Sequence, residues 1–286
     1  MSGLIKYNTT YVCQPQGLIN TGSICYLNSL LQALMGCSSF IEQIHKLSLN
    51  TICNPDPIAK LFVDICIYNK KNINLGANIY HILQSGIDGK LFEGQQCFHE
   101  GFDIMINKLS TELSQLFSHT YKTYSFCFEC KQWSQHKKSI ENVFLVNPEF
   151  KIDGQQLQIE KYILTPEMKI QNLNCGLCGN GKEKKIKYIL SIIPEILIVI
   201  AQKYNISGKL NTNTPFPEFL NFNMCSNSNI KYIAVAQIEH IGGKDGGHYY
   251  SISRRNDKWY NFNDMNISYA EFKPTINTYA VFYHVI

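Results

Sequence analysis

The segment Gly17-Leu18-Ile19-Asn20-Thr21-Gly22-Ser23-Ile24-Cys25-Tyr26-Leu27-Asn28-Ser29 holds the densest chemistry in the chain. A glycine-containing loop runs into a helix-periodic stretch, with Leu27, Leu30, Leu31 and Leu34 at helical spacing and Gly36 placed to end it. Ser23 reads as the N-cap, which sets Cys25 in the first turn. There the helix dipole and unpaired backbone N–H groups favour a thiolate, and the same N–H groups can stabilise an oxyanion. Asn20 could supply a side-chain amide to that oxyanion. Taken alone, a cysteine at a helix start is ordinarily a small buried core residue.

A nucleophilic thiol needs a base. Of eight histidines, His248 stands out, because Gly246-Gly247 precede it and a strand-like run, Tyr249 to Ser253, follows. Adjacent glycines let a substrate backbone come close. A second run, Trp259 to Phe262, ends in Asn263 and Asp264. A hairpin between the two would return Asn263 or Asp264 to the side of His248, where either could accept the imidazole N–H. Cys127-Phe128-Glu129-Cys130 and Cys175-Gly176-Leu177-Cys178 are two CxxC knuckles. Four such thiolates match a closed tetrahedral zinc site, structural and not catalytic. The long gap between the pairs predicts a two-armed ribbon with an inserted hairpin. The basic run Gly181 to Lys187 beside the second knuckle reads as a solvated strand and not as a nucleic-acid surface, since aromatic residues are not interleaved with it.

The elements that must position these groups fall in two blocks. Residues 25–110 read mainly helical, with further apolar stretches at Ile58 to Tyr68 and Phe102 to Leu116. After about residue 120 short alternating runs predominate: Tyr121 to Cys127, Ile140 to Val146, Ile186 to Ile200 broken at Pro194, Ile230 to Gln237, and Tyr279 to His284. Helices first and antiparallel strands second predict an α+β fold. The 286 residues are 45% hydrophobic and 17% charged, with a net charge of +4, which excludes disorder and gives no cause to expect nucleic acid. The longest apolar run, Ile192 to Ala201, is broken by Pro194 and Glu195, so no membrane span is expected. The N-terminus lacks an apolar export core, so a reducing setting is expected, cytoplasmic or nuclear. There paired members of the eleven cysteines should bind metal or do chemistry sooner than form disulfides.

Together these pieces resemble the ubiquitin-specific protease family, papain-like cysteine peptidases that cleave after the C-terminal glycine of ubiquitin. Gly17 to Ser29 is similar to its Cys box, and Gly246-Gly247-His248-Tyr249 with Trp259 to Asp264 to its His box. Gln95-Gln96-Cys97-Phe98-His99-Glu100, Pro194 to Tyr204, Tyr232 to Gly242 and Tyr279 to Tyr283 resemble other family segments, in order, over about residues 16–284. The resemblance implies one papain-like catalytic domain with a helical thumb (16–118), zinc-ribbon β fingers (119–190) and an antiparallel β palm (191–286). It implies Cys25 as nucleophile, His248 as base, Asn263 as its orienting residue with Asp264 able to share that role, and Asn20 as oxyanion amide. It implies Gln95, Gln96, Glu100, Gly247 and Tyr249 as substrate contacts, with Glu100 facing the arginine-containing tail of ubiquitin, and Cys127, Cys130, Cys175 and Cys178 as zinc ligands.

Several positions depart from the family pattern. Cys97 stands in place of an aspartate that would meet the ubiquitin tail. Gly101 replaces a bulky apolar residue, Ile24 a threonine, and Tyr204 a phenylalanine. The expected activity is a deubiquitinase acting as a monomer on ubiquitinated proteins, with an adaptor protein for substrate choice. Cys97 keeps open a protease for another ubiquitin-like Gly-Gly modifier. A ubiquitin-binding module without activity and a nucleic-acid-binding zinc ribbon are the readings from other classes.

Overall fold

The computed structural model describes residues 13–50, 56–70, 73–85, 97–149, 159–164, 167–171, 174–179, 183–206, 208–223, 229–243 and 246–286. Gln95, Gln96, Gly181 and Lys182 lie outside the described residues. The first block is helical, as its periodicity predicts: α1 (Cys25–Met35), α2 (Ser38–Asn50), α3 (Pro57–Phe62), α4 (Leu75–Gln84), α5 (Phe98–Ile106) and α6 (Thr111–Ser114). Asp56 caps α3 by accepting from Ile58 and Ala59 N–H, and Pro57 occupies its first turn. The helix then widens into a π-turn over Val63–Ile67. The stretch expected as a third helix, Phe102 to Leu116, breaks into α5 and α6 around Ser110, whose side chain caps α6. No helix among the described residues is long and apolar enough to cross a membrane.

The second block builds two sheets. One holds β1 (His119–Cys127), β2 (Trp133–Gln135), β3 (Ser139–Glu141), β5 (Glu167–Gln171) and β6 (Glu183–Ile192). The larger one runs β14 (Asn266–Ala270), β13 (Lys258–Asn263), β12 (Gly247–Arg255), β11 (Asn229–Gly242), β15 (Thr278–Val285), β7 (Ile196–Ala201) and β4 (Phe144–Val146), with β10 (Phe219–Asn223) also paired to β11. Its pairs are antiparallel except β4 against β7. A short pair, β8 (Tyr204–Asn205) and β9 (Gly208–Lys209), and helix α7 (Ile159–Leu164) complete the described elements. The α+β architecture is the expected one.

Strand β7 is buried at every residue because the large sheet is covered on both faces. Ile196, Ile198 and Ile200 face the helices, while Leu197, Val199 and Ala201 join Phe144, Ile163 and Tyr283 on the other side. In β11 the register shifts between Ala234 and Ala236. Before the shift Ile233 and Val235 face the helices; after it Ala236 and Ile238 do. Such a bulge reverses the alternation and re-aims every later side chain of the strand. Helix α1 lies across β12, close enough that a Cβ at Gly36 would meet Ser253 Oγ at 2.3 Å. Gly101 leaves the space taken by the Tyr26 ring, 2.7 Å from where a Cβ would stand.

Contrary to the expectation of unpaired or metal-bound cysteines, Cys13 and Cys66 form a disulfide. Nothing in their spacing announces it. The pair arises because the segment before α1 packs against the π-turn, with both residues buried. With a sequence separation of 53, the chain-entropy contribution reaches about 4 kcal/mol at most. Cys66→Ser is expected to lower the melting temperature measurably, and a dithiol reductant should lower that of the wild type by a similar amount while leaving the variant unchanged. Equal melting of oxidised wild type and Cys66→Ser would refute a stabilising role for the bond.

Candidate active site and metal centre

Cys25 is the first residue of α1 and only 4% exposed. The cap differs from the expected one. Ser23 is exposed, the N-cap position is Ile24, and no side chain at that position caps the helix. Instead Asn20 Oδ1 accepts from Gly22 N–H (3.1 Å) and Ile24 N–H (3.4 Å). With its oxygen committed to the loop, Asn20 turns its Nδ2 inward, where it donates to Asp264 Oδ2 at 3.0 Å. An amide carries two such hydrogens. Burial raises the Cys25 thiol above its ordinary pKa, a main-chain hydrogen bond from Tyr249 opposes this, and the Asp264 charge raises it further. That Tyr249 contact sets the residue after His248 directly at the sulfur.

His248 and Asn263 come together on the β12–β13 hairpin. Ser251 pairs with Phe262, so Asn263 lies opposite Tyr250, on the face shared by His248. His248 Nε2 is 2.6 Å from Asn263 Oδ1. A carboxamide oxygen only accepts, so Nε2 carries the proton and Nδ1 of the neutral ring keeps its lone pair. Asp264, expected as an alternative partner, does not share this bond. Asp264 lies beyond the end of β13, in a turn at φ +50°, which aims its side chain away from His248. Its oxygens accept from Asn20 Nδ2 and from Asn28 Nδ2, the latter at 2.9 Å. Asn28 was not among the residues singled out from sequence, although its position three residues after Cys25 places it on the same helix face.

The remaining expected contacts are scattered around this centre. Gly247 opens β12, and a Cβ there would meet His240 Nε2 at 2.4 Å, so close packing requires glycine. The Tyr249 ring is buried against His240, Phe98 and Tyr279, which leaves its main chain as the part that serves the cleft. Tyr204 Oη lies 2.8 Å from His240 Nδ1. Cys97 is the N-cap residue of α5, with Sγ 3.1 Å from Tyr279 Oη. Cys97, Tyr204 and Tyr279 line an open cavity of about 390 Å³ between α5 and the large sheet. Glu100 is exposed in the first turn of α5.

The two knuckles meet at one end of the smaller sheet. The Sγ atoms of Cys127, Cys130, Cys175 and Cys178 all lie within 4.8 Å of one another, and Cys130 and Cys175 are 3.9 Å apart. A tetrahedral ion with sulfur ligands at about 2.3 Å holds them roughly 3.8 Å apart. The donor set and the spacing therefore fit a metal ion. Leu177 N–H points at Cys175 Sγ at 3.4 Å, a bond that stabilises thiolate sulfur. Lys184 in the basic run is buried and donates to Asn174 O at 2.7 Å, so it braces the second knuckle.

The charge of Asp264 can be tested at the sulfur. Asp264→Asn removes a negative charge that disfavours thiolate, so the pH profile of Cys25 alkylation by iodoacetamide should move to lower pH. No movement, or movement to higher pH, would contradict the electrostatic reading.

Residues 16–283 match the family model described as ubiquitin carboxyl-terminal hydrolase. The chain is 22% identical over 292 residues to ubiquitin carboxyl-terminal hydrolase 26 of Arabidopsis thaliana, covering 91% of this chain and 26% of that protein. It is likewise 22% identical over 299 residues to Ubl carboxyl-terminal hydrolase 18 of Mus musculus, covering 92% of this chain and 80% of that one. The chain thus spans about a quarter of the length of the Arabidopsis relative. The SAGA DUB module of Ubp8, Sgf11, Sus1 and Sgf73 bound to ubiquitin aldehyde superposes with a TM-score of 0.75 at 20% identity, covering 95% of this chain and 70% of the matched chain. At that identity the likeness is one of fold. With nearly the whole length matched, the chain belongs to the ubiquitin carboxyl-terminal hydrolase family.

Proposed function

We propose that this chain is a thiol-dependent deubiquitinase that hydrolyses the isopeptide or peptide bond after the C-terminal glycine of ubiquitin. The observation that carries the reading is the His248–Asn263 pair at 2.6 Å, adjoining a cysteine at a helix start whose sulfur meets the Tyr249 main chain. His248 Nδ1 takes the thiol proton, and the Cys25 sulfur attacks the glycine carbonyl carbon. The N–H groups of the first turn of α1 and the second Nδ2 hydrogen of Asn20 stabilise the oxyanion. The imidazolium returns its proton to the leaving amine, giving a thioester. Water, deprotonated by His248, then releases the free carboxylate and restores the thiol. Asn263 holds the ring in the tautomer this sequence needs.

The four-cysteine site is assigned to zinc, held by Cys127, Cys130, Cys175 and Cys178. Bound there, zinc supplies a cross-link between two arms of the smaller sheet and no chemistry. In this reading residues 16–118 are the thumb, 119–190 the fingers and 191–286 the palm. A thiol nucleophile and four thiolate ligands suit an intracellular setting, cytoplasmic or nuclear, and the Cys13–Cys66 disulfide is the one observation among the described residues that runs against it. The Ubp8 module is described with Sgf11, Sus1 and Sgf73, which supports an adaptor protein here as well. A second reading keeps the chemistry and changes the modifier to another ubiquitin-like protein. It is favoured by Cys97, a thiol hydrogen-bonded to Tyr279 where a carboxylate residue is expected, and by the likeness to the mouse Ubl carboxyl-terminal hydrolase 18.

Ubiquitin with a thiol-reactive C-terminal warhead should form a covalent adduct with the wild type and none with Cys25→Ala. With fluorogenic ubiquitin amide, His248→Ala should lose roughly 10²–10⁴-fold in kcat. Absence of both adduct and turnover in folded protein, together with adducts to another Gly-Gly modifier, would replace the first reading by the second. Metal analysis should find one zinc per chain, lost in Cys175→Ser. A chelator should lower the melting temperature while kcat persists below the new transition. Metal-free protein with unchanged melting would exclude a structural zinc.

A further inference from the structure

We propose that Asn28 is a positioning residue of this centre: through the Asp264 carboxylate it holds the Asn20 amide at the oxyanion site. The inference rests on the function proposed above. Asn28 is 2% exposed and lies on the Cys25 face of α1. Its Nδ2 donates to Asp264 Oδ1 (2.9 Å) and to Ile19 O (3.3 Å), which uses both amide hydrogens. The other oxygen of the same carboxylate accepts from Asn20 Nδ2 at 3.0 Å. Leu18 N–H donates to Asp264 O at 2.9 Å. The loop from Leu18 to Asn20 is thus tied at three points to Asp264 and Asn28.

The orientation of the Asn28 amide is set from its far side. Its Oδ1 is buried without a hydrogen-bond partner among the described residues. It abuts the backbone of Gly76 in the first turn of α4, where a Cβ would stand 2.2 Å away. Only a glycine permits that approach, and it leaves the donor side of the amide facing Asp264. Both orphaning an oxygen and excluding a side chain at position 76 carry a stability cost. Such a cost is consistent with a geometry kept for positioning. The bridge also gives each Asp264 carboxylate oxygen an amide donor. Without Asn28 one carboxylate oxygen loses its donor. The carboxylate is then fixed from one side fewer, and Asn20 Nδ2, whose amide oxygen still accepts from Gly22 and Ile24 N–H, loses a rigid acceptor.

The test uses the intact chain, with active sites titrated by ubiquitin warhead and turnover of ubiquitin fluorogenic amide expressed per titrated site. Wild-type turnover is measured first; its absence overturns the functional reading and this proposal with it. Asn28→Ala should lower kcat about 10- to 100-fold with KM within twofold, below the 10²–10³-fold loss typical of deleting an oxyanion donor itself. Asn28→Ala/Asn20→Ala should be no slower than Asn20→Ala, because both act through one amide. Gly76→Ala retains every donor and acceptor and should lower kcat in the same direction by displacing Asn28. A merely structural role would reduce the titrated fraction and the melting temperature while leaving kcat per site unchanged. Active wild type with kcat of Asn28→Ala within twofold, or with multiplicative losses in the double variant, would overturn the proposal alone.

Discussion

Helix α1 ends with a carbonyl that its own next turn does not use, and the group that takes it is a buried guanidinium. Gly36 N–H bonds to Ala33 O, so Gln32 O is left for other donors. Arg255 Nη2 donates to Gln32 O (2.9 Å) and to Gln32 Oε1 (2.6 Å), while Nη1 reaches Ser253 Oγ and Arg254 O. Ser253 Oγ also donates to Gln32 O at 3.1 Å. The guanidinium lies over the Phe262 ring at 4.5 Å. A cation at a helix C-terminus is favoured by the dipole, and neutral acceptors replace the water it has lost. Burial is nevertheless costly and lowers its pKa to about 9. Because Arg255 ends β12 and Cys25 begins α1, this joint fixes the angle at which the Cys25 helix crosses the strand that carries His248. Breaking it would strand a buried charge, so the helix has one seat.

The other end of α1 is held by the turn after β13. Leu18, Asn20 and Asn28 all bond to Asp264, and a Cβ at Gly17 would meet Met265 O at 2.5 Å. One residue before this turn, Asn263 orients His248. The hairpin therefore makes two sets of contacts from adjacent residues, Asn263 from the last position of β13 and Asp264 from the turn that follows it. Asn263 bonds His248, and Asp264 bonds the loop that leads into Cys25.

Beyond the site, two separate devices lower the freedom of the ends of the fold. The disulfide anchors the segment before α1 to the π-turn. The four cysteines converge at the tip of the smaller sheet, where little apolar surface is buried; Phe128, Trp133 and Leu177 stay largely exposed there. A thin sheet of this kind has little core of its own to fix its arms, and a metal ion held by the four cysteines would take that part.

Local signals were enough to single out Cys25 and His248 as candidates and to pair the two knuckles, while the roles of the first two came from the ordered resemblance along the chain. A helix start, a Gly-Gly approach and a CxxC spacing are each written within a few residues, and the order of helices before strands follows from the period of the apolar pattern. Four features were decided only when distant segments met. Asn263, and not Asp264, meets His248 because the β12–β13 register puts Asn263 on the His248 face while Asp264 falls in the turn beyond the strand. Asn20, and not Ser23, satisfies the start of α1 because the loop folds back over it. Cys13 finds Cys66 across a separation of 53 residues. The bulge in β11 reverses an alternation that a one-dimensional reading continues unbroken. In each case the chain offered neighbouring or equivalent donors and acceptors, and the choice between them belongs to packing, which acts on distances in space and not along the sequence.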